Sequence, residues 1–198
     1  MTALPAPRSQ QHFVQFYTDE HRLFRIVAGF VADGLVLGDP ALVIATRPHV
    51  EGITAALAAR LIDVERAGRA GDLVFMDAQV ALDAIATSDG IDAERFTDIV
   101  GGRIERMLAG RPAAILRAYG ELVDLLWKAG REETAVELEM LWNRLAQTRS
   151  FTLLCGYSMG QFYKQVERYR QIGDLHTRIL EETEEVVPGD ARTSRHRR

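Results

Sequence analysis

The chain has 198 residues, 47% of them apolar and 26% charged, with a formal net charge of −4 and a pI near 5.8. That length is enough for one domain with a full core, and no stretch approaches the roughly 20 apolar residues of a membrane span. A single cysteine, Cys155, excludes an internal disulfide and a cysteine-based zinc site, and the mildly acidic balance argues against a dedicated nucleic-acid binder.

In chain order, residues 1–11 hold two prolines and no periodic apolar pattern, which predicts a flexible lead-in. They also lack the apolar centre of a secretory signal, so a cytoplasmic protein is expected. His12-Phe13-Val14-Gln15-Phe16-Tyr17 reads as a strand. Leu23, Ile26, Val27, Phe30 and Val31 recur at helical spacing over Arg22–Leu35, and Gly34 and Gly38-Asp39-Pro40 stop that helix. Ala41–Ala45 is a continuous apolar run of the kind a parallel strand needs when both its faces are covered. Pro48 suits the first turn of a helix over His49–Arg60. A third strand is expected at Leu73–Met76, a helix at Ala93–Ala109 and a fourth strand at Ala113–Arg117. Helices follow over Gly120–Ala129 and Glu132–Thr148, then a fifth strand at Phe151–Cys155 and a helix from Gln161 to about Glu185, interrupted at Gly173. The terminal Val187-Pro188-Gly189-Asp190 and the arginine-rich run after it predict a disordered tail. The division is therefore a short lead-in (1–11), one domain (12–172), and a terminal helix end with a basic tail (173–198).

Five alternations of strand and helix predict an α/β three-layer sandwich around a mostly parallel sheet. Such sheets bind ligands outside the carboxyl ends of their strands. Strand one delivers Tyr17, Thr18, Asp19, Glu20 and His21 to that edge, and strand two delivers Thr46, Arg47 and His49. Strand three brings Asp77 and Gln79, strand four Arg117, Tyr119 and Glu121, and strand five Tyr157 and Ser158. Aromatics, imidazoles and both charge signs suit a small-molecule pocket.

Nucleotide binding fails on motif. The turn after the first strand has no glycine and carries two carboxylates, and neither Lys128 nor Lys164 sits in a Gly-Lys-[Ser/Thr] sequence. Gly156-Tyr157-Ser158-Met159-Gly160 matches the Gly-x-Ser-x-Gly of a nucleophile elbow, yet only Asp174, His176 and His196 follow as partners and no further strand is expected to carry them. The five histidines show no His-x-x-x-His spacing, so no metal is expected, and Cys155 reads as a small buried hydrophobe. Trp127 and Trp142 lie on apolar helix faces and read as core, and Arg117 with Glu121 makes either an ion pair or a ligand clamp.

His12-Phe13-Val14-Gln15-Phe16-Tyr17, Gly34-Leu35 before Gly38-Asp39, Arg117-x-Tyr119-Gly120-Glu121, Leu125-Leu126-Trp127, Leu138-Glu139-x-Leu141-Trp142-Asn143 and Leu154-Cys155-Gly156-Tyr157 together resemble the MEDS domain, the methanogen/methylotroph DcmR sensory domain. The resemblance implies a RecA/KaiC-like fold whose phosphate-binding loop has been lost. It also implies a sensory role in prokaryotic signal transduction or transcriptional regulation, with small molecules such as hydrocarbon derivatives as ligands. His12, Tyr17, Arg117, Glu121, Trp142, Cys155 and Tyr157 match its pattern.

The expectation is thus a stand-alone, non-catalytic sensor without a cofactor. Its small organic ligand would sit among Tyr17, His21, Arg117, Glu121 and Tyr157. Its output would pass through the last helix to a signalling partner, a histidine kinase or a regulator. Neither nucleic acid nor membrane is an expected partner, and self-association stays open. The rivals are a serine esterase using Ser158 and an interaction module with a vestigial pocket.

Overall fold

The computed structural model describes residues 11–159 and 171–180. Residues 1–10 of the expected lead-in, Gly160, residues 161–170 of the expected last helix and everything beyond 180 lie outside the described residues. Six strands form one sheet: β1 (His12–Tyr17), β2 (Ala41–Ala45), β3 (Leu73–Asp77), β4 (Leu116–Gly120), β5 (Phe151–Ser158) and β6 (Arg178–Leu180). Their order is β3-β2-β4-β5-β1-β6, and every ladder between them is parallel.

Alternation of side chains along each strand sorts the core into two layers. Ala41, Val43 and Ala45 of β2 pack under α1 (Glu20–Val36), α2 (Arg47–Ala59) and α3 (Val64–Arg69). Leu42 and Ile44 face the other layer. That layer is built from α4 (Ala78–Ile85), α5 (Ala93–Phe96), α6 (Gly102–Leu108), α7 (Leu122–Lys128) and α8 (Glu132–Ala146). All five β2 residues are buried, as a strand covered on both sides requires. This is the three-layer α/β sandwich that the alternation predicts.

Four local readings need correction. The fourth strand starts at Leu116, because Arg111 to Ala114 close a turn through Ala114 N–H to the Arg111 carbonyl at 3.0 Å. Asp39 then takes the Ile115 N–H at 3.0 Å, so the apolar Ala113-Ala114-Ile115 lead into the strand without joining it. The fifth strand continues three residues further, to Ser158. The helix expected over 93–109 is broken by a π-type turn at Thr97–Gly101, where Thr97 Oγ1 donates back to the Ala93 carbonyl at 2.8 Å. The expected last helix is interrupted by a strand: residues 171–174 are helical, but β6 follows and pairs with β1. Its Thr177 N–H reaches the His12 carbonyl at 2.7 Å. Three residues flanked by charges are too short to show a period in sequence.

Helices α3 and α4 escaped the periodicity reading altogether. Asp77, expected at the ligand edge, instead caps α4 by accepting from Val80 N–H at 2.9 Å. Asp19 caps α1 in the same way through His21 N–H, also at 2.9 Å.

Helix α2 ends with an unusual residue choice. Leu61 N–H bonds to the Ala58 carbonyl and Ile62 N–H to the Leu57 carbonyl, the paired bonds of a Schellman cap. The residue in the left-handed position is Leu61, at φ 62°, with its side chain in solvent. A left-handed conformation costs a residue with a Cβ roughly 1–2 kcal/mol. Leu61→Gly is therefore expected to raise stability by about 0.5–1 kcal/mol once glycine's extra unfolded-state freedom is subtracted, measured as a shift in the urea midpoint.

Candidate functional site

After β2 the chain rises into α2 on one face of the sheet; after β4 it passes into α7 on the other. These two strands are neighbours, so their carboxyl ends diverge and leave a crevice of the kind that holds ligands in open α/β sheets. Glu121, the residue after β4, fills that crevice and is 2% exposed. One of its oxygens accepts from Thr46 N–H at the end of β2. The other accepts from His49 Nδ1–H at 2.5 Å and from the Tyr119 hydroxyl at 3.3 Å. His49 is buried in the first turn of α2, and its Nε2 faces the largely exposed Glu20 of α1 at 3.6 Å.

A second buried carboxylate stands beside the first. Asp124 in α7 accepts from the Tyr17 hydroxyl at 3.1 Å and from Ser158 N–H at 2.8 Å, and pairs with Lys128 at 2.8 Å. Burial and these two carboxylates raise the Tyr17 phenol far above its ordinary range. Tyr119 is raised for the same reasons, with Glu121 its main charged neighbour. Both hydroxyls are fixed donors at any accessible pH.

His49 is subject to opposing pulls. Burial lowers its pKa, but the hydrogen bond and charge of Glu121, aided by Glu20, outweigh burial and hold it above the ordinary 6.5. The stability carried by that proton is complete below the unfolded value of 6.5 and is lost as pH rises through the higher folded value. Warming the protein at a series of pH values from about 6 to about 9 is expected to show a falling unfolding midpoint, with a shallower fall in His49→Gln. Identical slopes in the two proteins would refute the assignment.

Beside this polar cluster, Phe24 packs edge-on against His49 with ring centres 5.2 Å apart. The other side of Phe24 lines an open groove of about 340 Å³ between α1 and α2, together with His21, Arg25, Gly52, Ala55 and Ala56. Gly52 makes the groove possible, because a Cβ there would overlap the Phe24 ring.

Of the five residues expected to share a ligand, Tyr17 and Glu121 lie together and His21 lies one helical turn away, on the groove. Arg117 does not belong with them. The shift in β4 aligns it with Ala41, the first residue of β2, at the amino end of the sheet. Its stem crosses α1 at Gly34, where a Cβ would collide with it, and its guanidinium lies 5.2 Å from the centre of the Phe30 ring. Tyr157 points to the opposite face and donates to Glu139 at 2.8 Å. Ser158 is the last residue of β5, in register with Tyr17, and its N–H donates to Asp124. Trp142 is core, with its ring edge-on to Phe96 and near Phe151. Thr46 and His49 are among the edge residues of the sequence reading, whereas Asp124, one turn into α7, is not.

A second polar cluster lies under α8. His12 of β1, Cys155 of β5, Glu139 of α8 and His176, just before β6, bring their donor atoms within 4.8 Å of one another. Their sequence separation is why a search for closely spaced histidines missed them.

Among solved structures, the chain is similar to a KaiC-like protein from the hyperthermophilic archaeon Pyrococcus horikoshii, at 15% identity and a TM-score of 0.48. That alignment covers 73% of this chain and 62% of the other, so the chain spans less than two thirds of the protein it matches. No curated protein matches it. A model of the methanogen/methylotroph, DcmR sensory domain matches residues 11–172, from the start of β1 through the carboxyl-edge crevice to the end of the core, and the chain accordingly belongs to the MEDS family.

Proposed function

We propose that this chain is a non-catalytic sensory module of signal transduction that binds a small organic molecule at the carboxyl edge of its sheet and signals through a separate protein. The carrying observation is the content of the crevice between β2 and β4. A charge-compensated His49–Glu121 pair, backed by Tyr17, Tyr119 and Asp124, fills it, while the turn after β1, where a nucleotide would need phosphate-cradling glycines, carries Asp19 and Glu20. Buried carboxylates repel a phosphate but welcome a neutral or weakly cationic ligand that brings donors. The adjoining groove supplies an apolar wall from Phe24, Ala55 and Ala56, with His21 and Arg25 at its rim. The ligand's apolar body would rest between α1 and α2, and its polar group would meet Glu20 and His49. Binding would bias the arrangement of these two helices by its difference in affinity between states, and a kinase or regulator would read that bias.

The test is a thermal-shift screen with small alcohols, amines and halogenated hydrocarbons, run on the wild type and on Ala55→Trp. Ala55 is exposed, so the indole fills the groove without entering the core. A ligand at 100 times its dissociation constant is expected to add about 2.7 kcal/mol, several degrees, to the wild type and little to the variant. Stabilisation of equal size in Ala55→Trp would place the ligand elsewhere.

A further inference from the structure

The cluster under α8 brings two imidazoles, a carboxylate and a thiol together at metal-ligand spacing. His12 Nδ1 meets Asn143 Oδ1 at 2.9 Å, and the amide of Asn143 is oriented by its own Nδ2–H bond to the Leu175 carbonyl at 3.0 Å. His176 Nδ1 meets the Ile172 carbonyl at 2.7 Å. Both partners are oxygen acceptors, so in each ring the Nδ1 carries the proton. In the neutral form of each ring the Nε2 is then the nitrogen free to ligate a metal. Both Nε2 atoms face the Glu139 carboxylate, at 3.3 Å from His12 and 3.4 Å from His176. His176 Nε2 is fully enclosed and makes no hydrogen bond. Two ring nitrogens aimed at one buried carboxylate require positive charge between them and it, carried by a ring proton or by a metal ion.

Three donor-to-donor distances match a metal ion, and His176 Nε2 lies 3.4 Å from the other oxygen of the same carboxylate. His12 Nε2 is 3.3 Å from Cys155 Sγ and 3.3 Å from Glu139 Oε2, and Sγ is 3.5 Å from the same oxygen. A four-coordinate zinc with bonds of about 2.1 Å to nitrogen or oxygen and about 2.3 Å to sulfur has ligand-to-ligand edges of about 3.4–3.6 Å. The charges also close. Glu139 and Cys155 are completely buried, and a divalent ion neutralises one carboxylate and one thiolate with two neutral imidazoles beside them. Around the donors stand the supports that metal sites need: Asn143 and the Ile172 carbonyl on the two histidines, and the Tyr157 hydroxyl on Glu139.

We infer that His12 Nε2, Glu139, Cys155 Sγ and His176 Nε2 form a closed binding site for a divalent transition-metal ion of the zinc class. On binding, the thiol proton leaves to solvent as the metal–sulfur bond forms, so uptake is accompanied by proton release. The ion bridges β1, β5, α8 and the segment leading to β6. It thereby fastens the outermost strand, which otherwise rests on three residues of pairing with β1. His176 lies beyond the 11–172 span matched by the family model.

The experiment is titration of the full chain, freed of metal by chelation, with Co²⁺ alone and then with Zn²⁺. The expected result is saturation at one Co²⁺ per chain, with the visible bands of a four-coordinate ion, a near-ultraviolet thiolate-to-cobalt band, and displacement by Zn²⁺. Cys155→Ser is expected to lose the thiolate band, and His176→Gln to weaken binding at least about tenfold. Circular dichroism of each variant checks its fold. His176 stands on a peripheral segment, so its variant decides the matter even if Cys155→Ser does not fold. Ala55→Trp, which blocks the groove on the opposite face, is expected to bind Co²⁺ as the wild type does. That separates failure of the metal site from failure of the sensory reading. Absence of saturable Co²⁺ bands in the folded wild type, or unaltered binding in folded His176→Gln, would overturn the inference.

Discussion

Replacing Glu121 with alanine is expected to destabilise the protein by about 3–5 kcal/mol, enough to lower its unfolding midpoint by roughly 6–20 °C. The carboxylate is 2% exposed and receives three donors: the Thr46 amide, His49 and the Tyr119 hydroxyl. Alanine leaves all three without an acceptor, and His49 loses the charge that holds its proton against burial. A buried pair broken on one side costs more than the pair itself contributed, because the survivor remains desolvated. Glu121→Gln keeps an acceptor oxygen and is expected to cost less than half as much. His49→Gln combined with Glu121→Gln should be milder than the sum of the two, since no unpaired charge remains. Urea denaturation of the wild type and these four variants measures this directly. A loss below about 1 kcal/mol for Glu121→Ala would mean that water replaces the carboxylate, and that the crevice is open.

Trp142→Ala is expected to cost about 3–5 kcal/mol, for a reason unconnected with ligand binding. Trp142 is 1% exposed and sits between Phe96 and Phe151, tying α8 to α5 and the start of β5. Its ring also approaches Gly120 at the end of β4, where a Cβ would stand 3.7 Å from it. Truncation leaves a large cavity between rigid elements that cannot collapse onto one another. Trp142→Phe should recover much of the loss, and its response to any ligand of the groove should equal that of the wild type. A ligand response abolished by Trp142→Phe at unchanged stability would instead make this residue part of a binding site.

The sheet was largely legible before any coordinates. Short apolar runs such as Ala41–Ala45 and Phe151–Cys155, separated by helical patterns and glycine-rich stops, announce parallel strands buried on both sides. The features that resisted are local competitions. The segment Ala113-Ala114-Ile115 has strand composition, yet the turn at Arg111–Ala114 and the Asp39 side chain claim its backbone, moving Arg117 to the amino end. Asp19 and Asp77 have the chemistry of site residues, but each is used as a helix cap.

Composition and periodicity therefore settled the α/β class and the covered parallel strands, because each follows from residues near one another in the chain. The pairing of His49 with Glu121, the burial of Asp124 against Tyr17, and the meeting of His12, Glu139, Cys155 and His176 were decided only by the folded chain. A polar side chain's role depends on which partner desolvates it and from what direction. In a sheet ordered β3-β2-β4-β5-β1-β6, those partners come from different strands and helices, 72 residues apart for His49 and Glu121 and 143 for His12 and Cys155.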